Sequence, residues 1–361
     1  MPTWLGGTPS RSVEPAPLPE FKQALGTRVI WRVNVGSGRN LFLRPAVMEN
    51  AVFVAAADGT VMRLAPDSGQ VVWKADVKSR LSAGVGSDGF TVAVGTPRGE
   101  VIALGADGKE IWRTQAGGEL LSPPLVGRGL VIVRSTDYRV TAFDAASGKR
   151  RWNYQRTATP LTLRGLVELG FVGEWVVAGF PGGRLVALSA TNGAARWDVA
   201  VSEPRGATEV ERIADVVGAP WVAGGEVCAA SYQGRVACFE GTKGSLRWAN
   251  DLSAATGPGG DDQRVYVVDA KSNVVAFRRA AGANAWRQDK LLHRDLSTPL
   301  ALRRAVLVGD FEGHVHFLAP EDGSVIARER LDGAIVAAPR AFGSGAIVQT
   351  RNGVVALIAI E

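Results

Sequence analysis

No apolar run in this 361-residue chain approaches the ~18 residues that a membrane-spanning helix needs, so no helical span is expected. Cysteine stops at two residues and histidine at three. Two sulfurs with no histidine beside them cannot assemble the tetrahedral ligand set of a structural zinc site. His314 and His316 share one strand face, with no third ligand apparent nearby in sequence, so no metal site is expected there. Neither a Gly-x-Ser-x-Gly elbow nor a phosphate-binding glycine loop ending in Lys and Ser or Thr occurs. Asp261-Asp262 and Glu321-Asp322 are adjacent turn carboxylates rather than a spaced acid–base pair. No secretion signal opens the chain. The net charge is +6, but the basic residues are scattered in pairs such as Arg150-Arg151, Arg278-Arg279 and Arg303-Arg304. Without interleaved aromatics they read as a solvated surface and not as a nucleic-acid footprint.

What the chain does have is a recurring tryptophan. Trp31, Trp73, Trp112, Trp152, Trp197, Trp248 and Trp286 follow one another at intervals of 42, 39, 40, 45, 51 and 38 residues. Six of them stand four residues after a glycine: Gly69, Gly108, Gly148, Gly193, Gly244 and Gly282. An eighth copy, Gly323, has Ala327 in the tryptophan place. A period near 40 marks a repeat architecture.

A second motif runs in phase with the first. Turns at Asp58-Gly59, Arg98-Gly99, Tyr138-Arg139, Gly182-Gly183, Gln233-Gly234, Ser272-Asn273, Glu312-Gly313 and Asn352-Gly353 lie between alternating apolar segments. Asp-Gly and Asn-Gly suit two-residue hairpins, whose central residues need positive φ. Each unit therefore contains about four antiparallel strands, the make-up of a propeller blade. Eight turns give eight blades. Trp31 has no hairpin before it, and Asn352-Gly353 has no tryptophan strand after it. A strand at residues 29–35 is expected to complete the last blade and close the ring, which removes an open edge. The expectation is an all-β, eight-bladed β-propeller over residues 29–361, preceded by a flexible Pro-, Gly- and Ser-rich tether over residues 1–28. The tryptophans are expected to pack between blades and to play no catalytic part.

Cys228 and Cys238 flank the Gln233-Gly234 turn. A two-residue turn sets Cys228 opposite Phe239 and points the two sulfurs to opposite faces, which favours buried free thiols. A one-residue bulge would bring them face to face and permit a disulfide.

The period stretches on either side of Trp197. The added residues fall in Thr157 to Gly165, which holds Leu161-Thr162-Leu163-Arg164, and in Glu203 to Asp215. In an up-and-down blade, such blade-to-blade connections emerge on the same face as the middle hairpin turn. The two enlarged loops should therefore form one patch, and loops held by a rigid scaffold are where binding concentrates. Leu161 and Leu163 beside Arg164 make an apolar-plus-guanidinium pairing suited to an interface. They could equally seat the loop on its blade. Asp215 could hold an arginine of this chain or accept one from a partner.

The repeats resemble the pyrroloquinoline-quinone-type propeller superfamily. Within it, the chain resembles the BamB family of periplasmic lipoproteins, part of the β-barrel assembly machinery of Gram-negative outer membranes. The segments carrying the likeness run from Trp31 to Gly38, Leu161 to Gly165 and Gly206 to Asp215, with Asp289 to Arg294, Ser297 to Pro299 and Val308 to Gly313. The resemblance implies an eight-bladed, non-catalytic scaffold without cofactor or metal, monomeric alone, at the periplasmic face of the outer membrane. Its implied partner is BamA, through the POTRA domains, and unfolded outer membrane proteins are further candidates. The family's contact residues fall on Leu161, Leu163, Arg164 and Asp215. The family has a second aspartate two residues on, where this chain has Val217. The lipid-bearing N-terminal cysteine is also missing, which suggests a soluble mature chain that starts after the anchor site. Alternatives are a quinoprotein dehydrogenase and an adaptor propeller with another partner. Against the dehydrogenase, such enzymes carry adjacent cysteines and a calcium-bound quinone. Here the cysteines stand ten apart and no acidic cluster is evident.

Overall fold

A computed structural model of the chain describes residues 14–39, 41–157 and 161–361. Among them are 32 strands and no helix. The strands form eight four-stranded antiparallel sheets, an eight-bladed β-propeller. Blades 1 to 7 occupy residues 46–76, 83–115, 125–155, 169–200, 216–251, 259–288 and 300–330, each with its strands side by side in chain order. Blade 8 takes three strands from residues 340–360 and its fourth from Thr27–Asn34. That strand runs antiparallel to Val354–Ile360, from Thr27 opposite Ile360 to Asn34 opposite Val354, with a bulge before Trp31. The closure expected at residues 29–35 is therefore present and starts two residues earlier.

The strands gather into two compact units. One holds Gln23–Arg156, Gly309–His316 and Ala327–Glu361. The other holds Thr157–Val308 and Phe317–Ile326, with the described residues up to Lys22. In each unit, apolar residues of successive blades interdigitate. Phe53, Val61 and Leu81 meet Val85, Val94 and Ile102 in the first. Val177, Leu185 and Trp197 meet Val216, Val227 and Phe239 in the second.

The tryptophan acts between blades. It stands on the exposed fourth strand, and its ring lies on the turn glycine of the following blade. Trp31 covers Gly69, Trp73 covers Gly108 and Trp112 covers Gly148 in the first unit. Trp197 covers Gly244, Trp248 covers Gly282 and Trp286 covers Gly323 in the second. The indole N–H then donates to a carbonyl of that same turn, at 2.7 Å from Trp31 to Pro66 and 2.7 Å from Trp248 to Arg279. The glycine is required twice over. It sits at φ near +70°, and a Cβ on Gly282 would lie 2.6 Å from the Trp248 ring.

The hairpin turns are one residue longer than expected. Ala56 N–H donates to Thr60 O at 2.9 Å and Gly59 N–H to Ala56 O at 3.3 Å, which encloses a three-residue loop. The third loop residue takes positive φ at Gly59, Gly99, Tyr138, Ser272, Gly313 and Gly353. This is a type I turn followed by one left-handed residue. The extra residue moves the register of blade 5 by one. Cys228 lies directly opposite Cys238, not Phe239, and the two form a disulfide, so the expectation of free thiols is corrected.

Residues 1–13 of the expected tether lie outside the described residues. Ala16 N–H donates to Leu292 O and Arg294 Nη1 donates to Ala16 O, each at 2.9 Å. Phe21 packs against the cluster of Tyr266, Trp286 and Leu291.

Trp248→Ala removes ring packing and an indole hydrogen bond, and should cost about 3–5 kcal/mol. Gly282→Ala adds a strained φ and a clash with the same ring, and should cost more than about 1 kcal/mol. Guanidinium unfolding monitored by tryptophan fluorescence measures both. A Gly282→Ala chain as stable as the parent would show that the ring does not press on this glycine.

Candidate functional site

The two loops that break the repeat meet through one carboxylate. Asp215 ends the Glu203-to-Asp215 loop and is 5% exposed. The Leu163 N–H donates to Asp215 Oδ2 at 2.7 Å, and the Gly182 N–H donates to Oδ1 at 3.0 Å. One buried charge thus binds the Leu161 loop and the middle hairpin turn of blade 4, the shared face expected from the connectivity. Two backbone donors stabilise a carboxylate that burial would otherwise disfavour.

The backbone adds a second tie. Glu168 N–H donates to Gly218 O at 3.0 Å and Gly218 N–H to Leu166 O at 2.8 Å, with a parallel bridge between Val167 and Gly218. Gly218 has φ +66° and approaches Gly257 so closely that a Cβ would lie 2.1 Å from its nitrogen. Ser202 Oγ donates to Ala214 O at 3.3 Å and accepts from Ser231 Oγ at 2.9 Å.

These ties sort the expected site residues. Leu161 is 44% exposed and Arg164 is exposed, so both lie at the surface. Leu163 is half-buried and packs on the cluster formed by Val217, Cys228, Cys238 and Trp248. Of the two roles open to the leucines, Leu163 seats the loop and Leu161 faces outward. Asp215 holds backbone amides, a role the sequence reading did not consider. Val217 is 5% exposed and lies in that same apolar cluster.

The sequence reading missed Val210. It is 50% exposed in a single turn of chain closed as a capping box. Glu211 N–H donates to Thr208 Oγ1, while Glu211 Oε2 accepts from the Ala207 and Thr208 N–H groups at 2.8 and 3.0 Å. These N–H groups, Thr208 first, hold the Glu211 carboxyl below the usual carboxylate range. The Gln233 side chain faces the carbonyls of Val210, Glu211 and Ile213 at 3.1 to 3.3 Å, so its NH2 end points at them. A lone apolar residue between Glu209 and Glu211, three residues after Ala207, was the available signal.

The histidines group with a partner that sequence inspection passed over. Asp310 stands four residues before His314 and is fully buried. Its Oδ1 caps the turn by accepting from the Glu312 and His314 N–H groups, as Asp269 does in blade 6. Its Oδ2 lies 3.3 Å from His314 Nδ1 and 3.1 Å from His316 Nε2. Arg328 Nε donates to His316 Nδ1 at 3.2 Å, which leaves the imidazole proton on Nε2 to donate to Asp310. Asp310, Glu312 and His314 stand close enough to share a cation, as do Glu226, Cys228 and Cys238. The two sulfurs are joined to each other, and the Asp310 oxygens already serve the turn and the imidazoles.

The family model for outer membrane protein assembly factor BamB matches residues 57–288. The outer membrane protein assembly factor BamB of Burkholderia pseudomallei (strain K96243) is 46% identical over 341 residues, 94% of this chain and 90% of that protein. The protein of the same name from Bordetella pertussis (strain Tohama I) is 43% identical over 347 residues, 96% of this chain and 90% of its own length. The crystal structure of BamB from Moraxella catarrhalis superposes with a TM-score of 0.85 at 26% identity, covering 92% of this chain and 100% of that one. Quinohemoprotein alcohol dehydrogenase from Comamonas testosteroni shares the fold alone, with a TM-score of 0.70 at 14% identity over 92% of this chain and 76% of that one.

Asp215→Ala should strand two N–H groups, at about 1–3 kcal/mol each where they stay buried. Leu163 and Gly182 amide exchange should then quicken by roughly tenfold or more; unchanged exchange would remove Asp215 as the tie. Burial, opposed by the Asp310 hydrogen bond, holds the His316 imidazole below its ordinary pKa. The unfolded chain therefore takes up a proton below about pH 6.5 that the folded chain refuses. Stability is full above that pH and falls as the pH drops from it. Urea melts at pH 7.5 and 5.5 should show this decline, and His316→Phe should flatten it.

Proposed function

This chain belongs to the BamB family of outer membrane protein assembly factors, and on that premise we propose that it is a scaffold subunit binding the POTRA domains of BamA. It is an assembly factor and not an enzyme. The observation that supports the docking reading is the Asp215 clamp, which ties the Leu161 loop to the blade 4 hairpin turn. Rigid loops lose little conformational entropy on binding, so their exposed apolar groups contribute more of their burial to affinity.

Within this reading the four residues divide their work. Leu161 supplies apolar area and Arg164 a guanidinium able to pair with a partner carboxylate. Leu163 and Asp215 position them from below. The fold shared with quinohemoprotein alcohol dehydrogenase brings no chemistry with it. At the periplasmic face of the outer membrane, the subunit would hold POTRA domains in an arrangement productive for barrel assembly. Unfolded barrel proteins are a further ligand class, whose strands could add to an exposed blade edge.

Leu161→Glu with Arg164→Ala tests the surface without touching the seated Leu163. The double variant should melt within about 0.5 kcal/mol of the parent, as exposed changes do. It should lose binding to purified POTRA domains by about thirtyfold or more, the ~2 kcal/mol of a hot-spot pair. Retained affinity, read by calorimetry, would move the partner surface elsewhere.

A further inference from the structure

The docking loop rests on a disulfide that its proposed function does not use. Cys228 and Cys238 are cross-strand partners in the central hairpin of blade 5, and both are fully buried. The cluster around them contains Val217, Trp248 and Phe277, and Leu163 of the docking loop packs directly on it. The strand bearing Cys228 also carries Ala230 and Ser231, which pair with Val217 and Val216. Beyond its end, Tyr232 N–H donates to the Asp215 backbone carbonyl at 2.9 Å. The hairpin that the disulfide joins thus supports the site twice, through the Leu163 side chain and through the residue that clamps the Leu163 amide.

We infer that the Cys228–Cys238 disulfide is the staple that orders the docking loop, and that a disulfide-bearing oxidant protein installs it before blade 5 closes. The cross-link joins the two strands of the hairpin covalently inside a close-packed cluster, so its loss loosens the support on which the loop sits. Leu163 is the half-buried member of this cluster that belongs to the docking loop. Exchange at sulfur also requires approach by another sulfur, and neither cysteine offers surface in the folded chain. The chemistry therefore belongs to the unfolded or partly folded chain. One cysteine thiolate attacks the oxidant's disulfide and forms a mixed disulfide, releasing one oxidant thiolate. The second cysteine thiolate displaces the other. Two electrons pass to the oxidant, which leaves as a dithiol, and the two protons lost by the cysteines balance its two new thiols.

The test uses the full chain and contains no partner domain, so its outcome is separate from that of the docking reading. Amide exchange is followed at Leu163 and Gly182, with Val94 of blade 2 as the internal reference and Asp215→Ala as the control for a released loop. In the variant carrying Cys228→Ala and Cys238→Ala, exchange at Leu163 and Gly182 should be about tenfold faster while Val94 is unchanged. If that variant does not fold, reduced parent chain refolded without oxidant gives the same comparison. Equal protection at Leu163 and Gly182 in either folded, disulfide-free form would overturn the staple. Folded parent chain is also held in dithiothreitol and alkylated. The disulfide should survive until denaturant is added, and rapid labelling of the folded chain would overturn the order of events.

Discussion

Everything in this molecule hangs on a packing problem. A four-stranded blade has two apolar faces, and it can bury them only against its neighbours. On six of the fourth strands a tryptophan answers this by reaching past its own blade. Its ring takes the space above the next turn's glycine, and its N–H satisfies a carbonyl of the same turn. One side chain therefore supplies buried area, a hydrogen bond and a fixed spacing. The strand Thr27–Asn34 brings Trp31 into this scheme from the opposite end of the chain. Closure of the last blade and the clamp onto blade 1 are thus made by the same eight residues.

A scaffold locked in this way leaves variation to the connections. Most are short, because a connection need only carry the chain to the next blade. The two that are long are tied down in their described parts. A buried carboxylate, a Gly218 that no other residue could replace without strain, and a capping box at Thr208 to Glu211 turn them into shaped surface. Polar groups do this work since loop backbone that is not in a sheet still needs its hydrogen bonds made. The exposed Leu161 and Val210 then stand on loops that these hydrogen bonds tie to their neighbours.

Much of this was legible in the chain. The tryptophan period, the glycine four residues before it and the in-phase turns sufficed for blade number and ring closure, because a repeated packing task leaves a repeated residue pattern. The stretched spacing around Trp197 located the candidate surface for the converse reason: residues that the repeat does not need stand out against it. The hairpin length was misjudged by one residue, since Asp-Gly suits both a two-residue turn and the third position of a longer one. That single residue decided the cysteines, because a one-residue shift turns every side chain of a strand to the other face.

By itself the sequence determined the all-β repeat, the eight blades and the family, all of which depend on local periodicity and on which residues recur. Only the tertiary structure decided what the particular residues do. Asp215 holds amides 52 and 33 residues away, Leu163 is a seat while Leu161 is a face, and Cys228 meets Cys238 beneath them. Spacing along the chain records which residues share a strand or a turn. Which loop a carboxylate reaches across to depends on how neighbouring blades pack, and no linear pattern carries that distance.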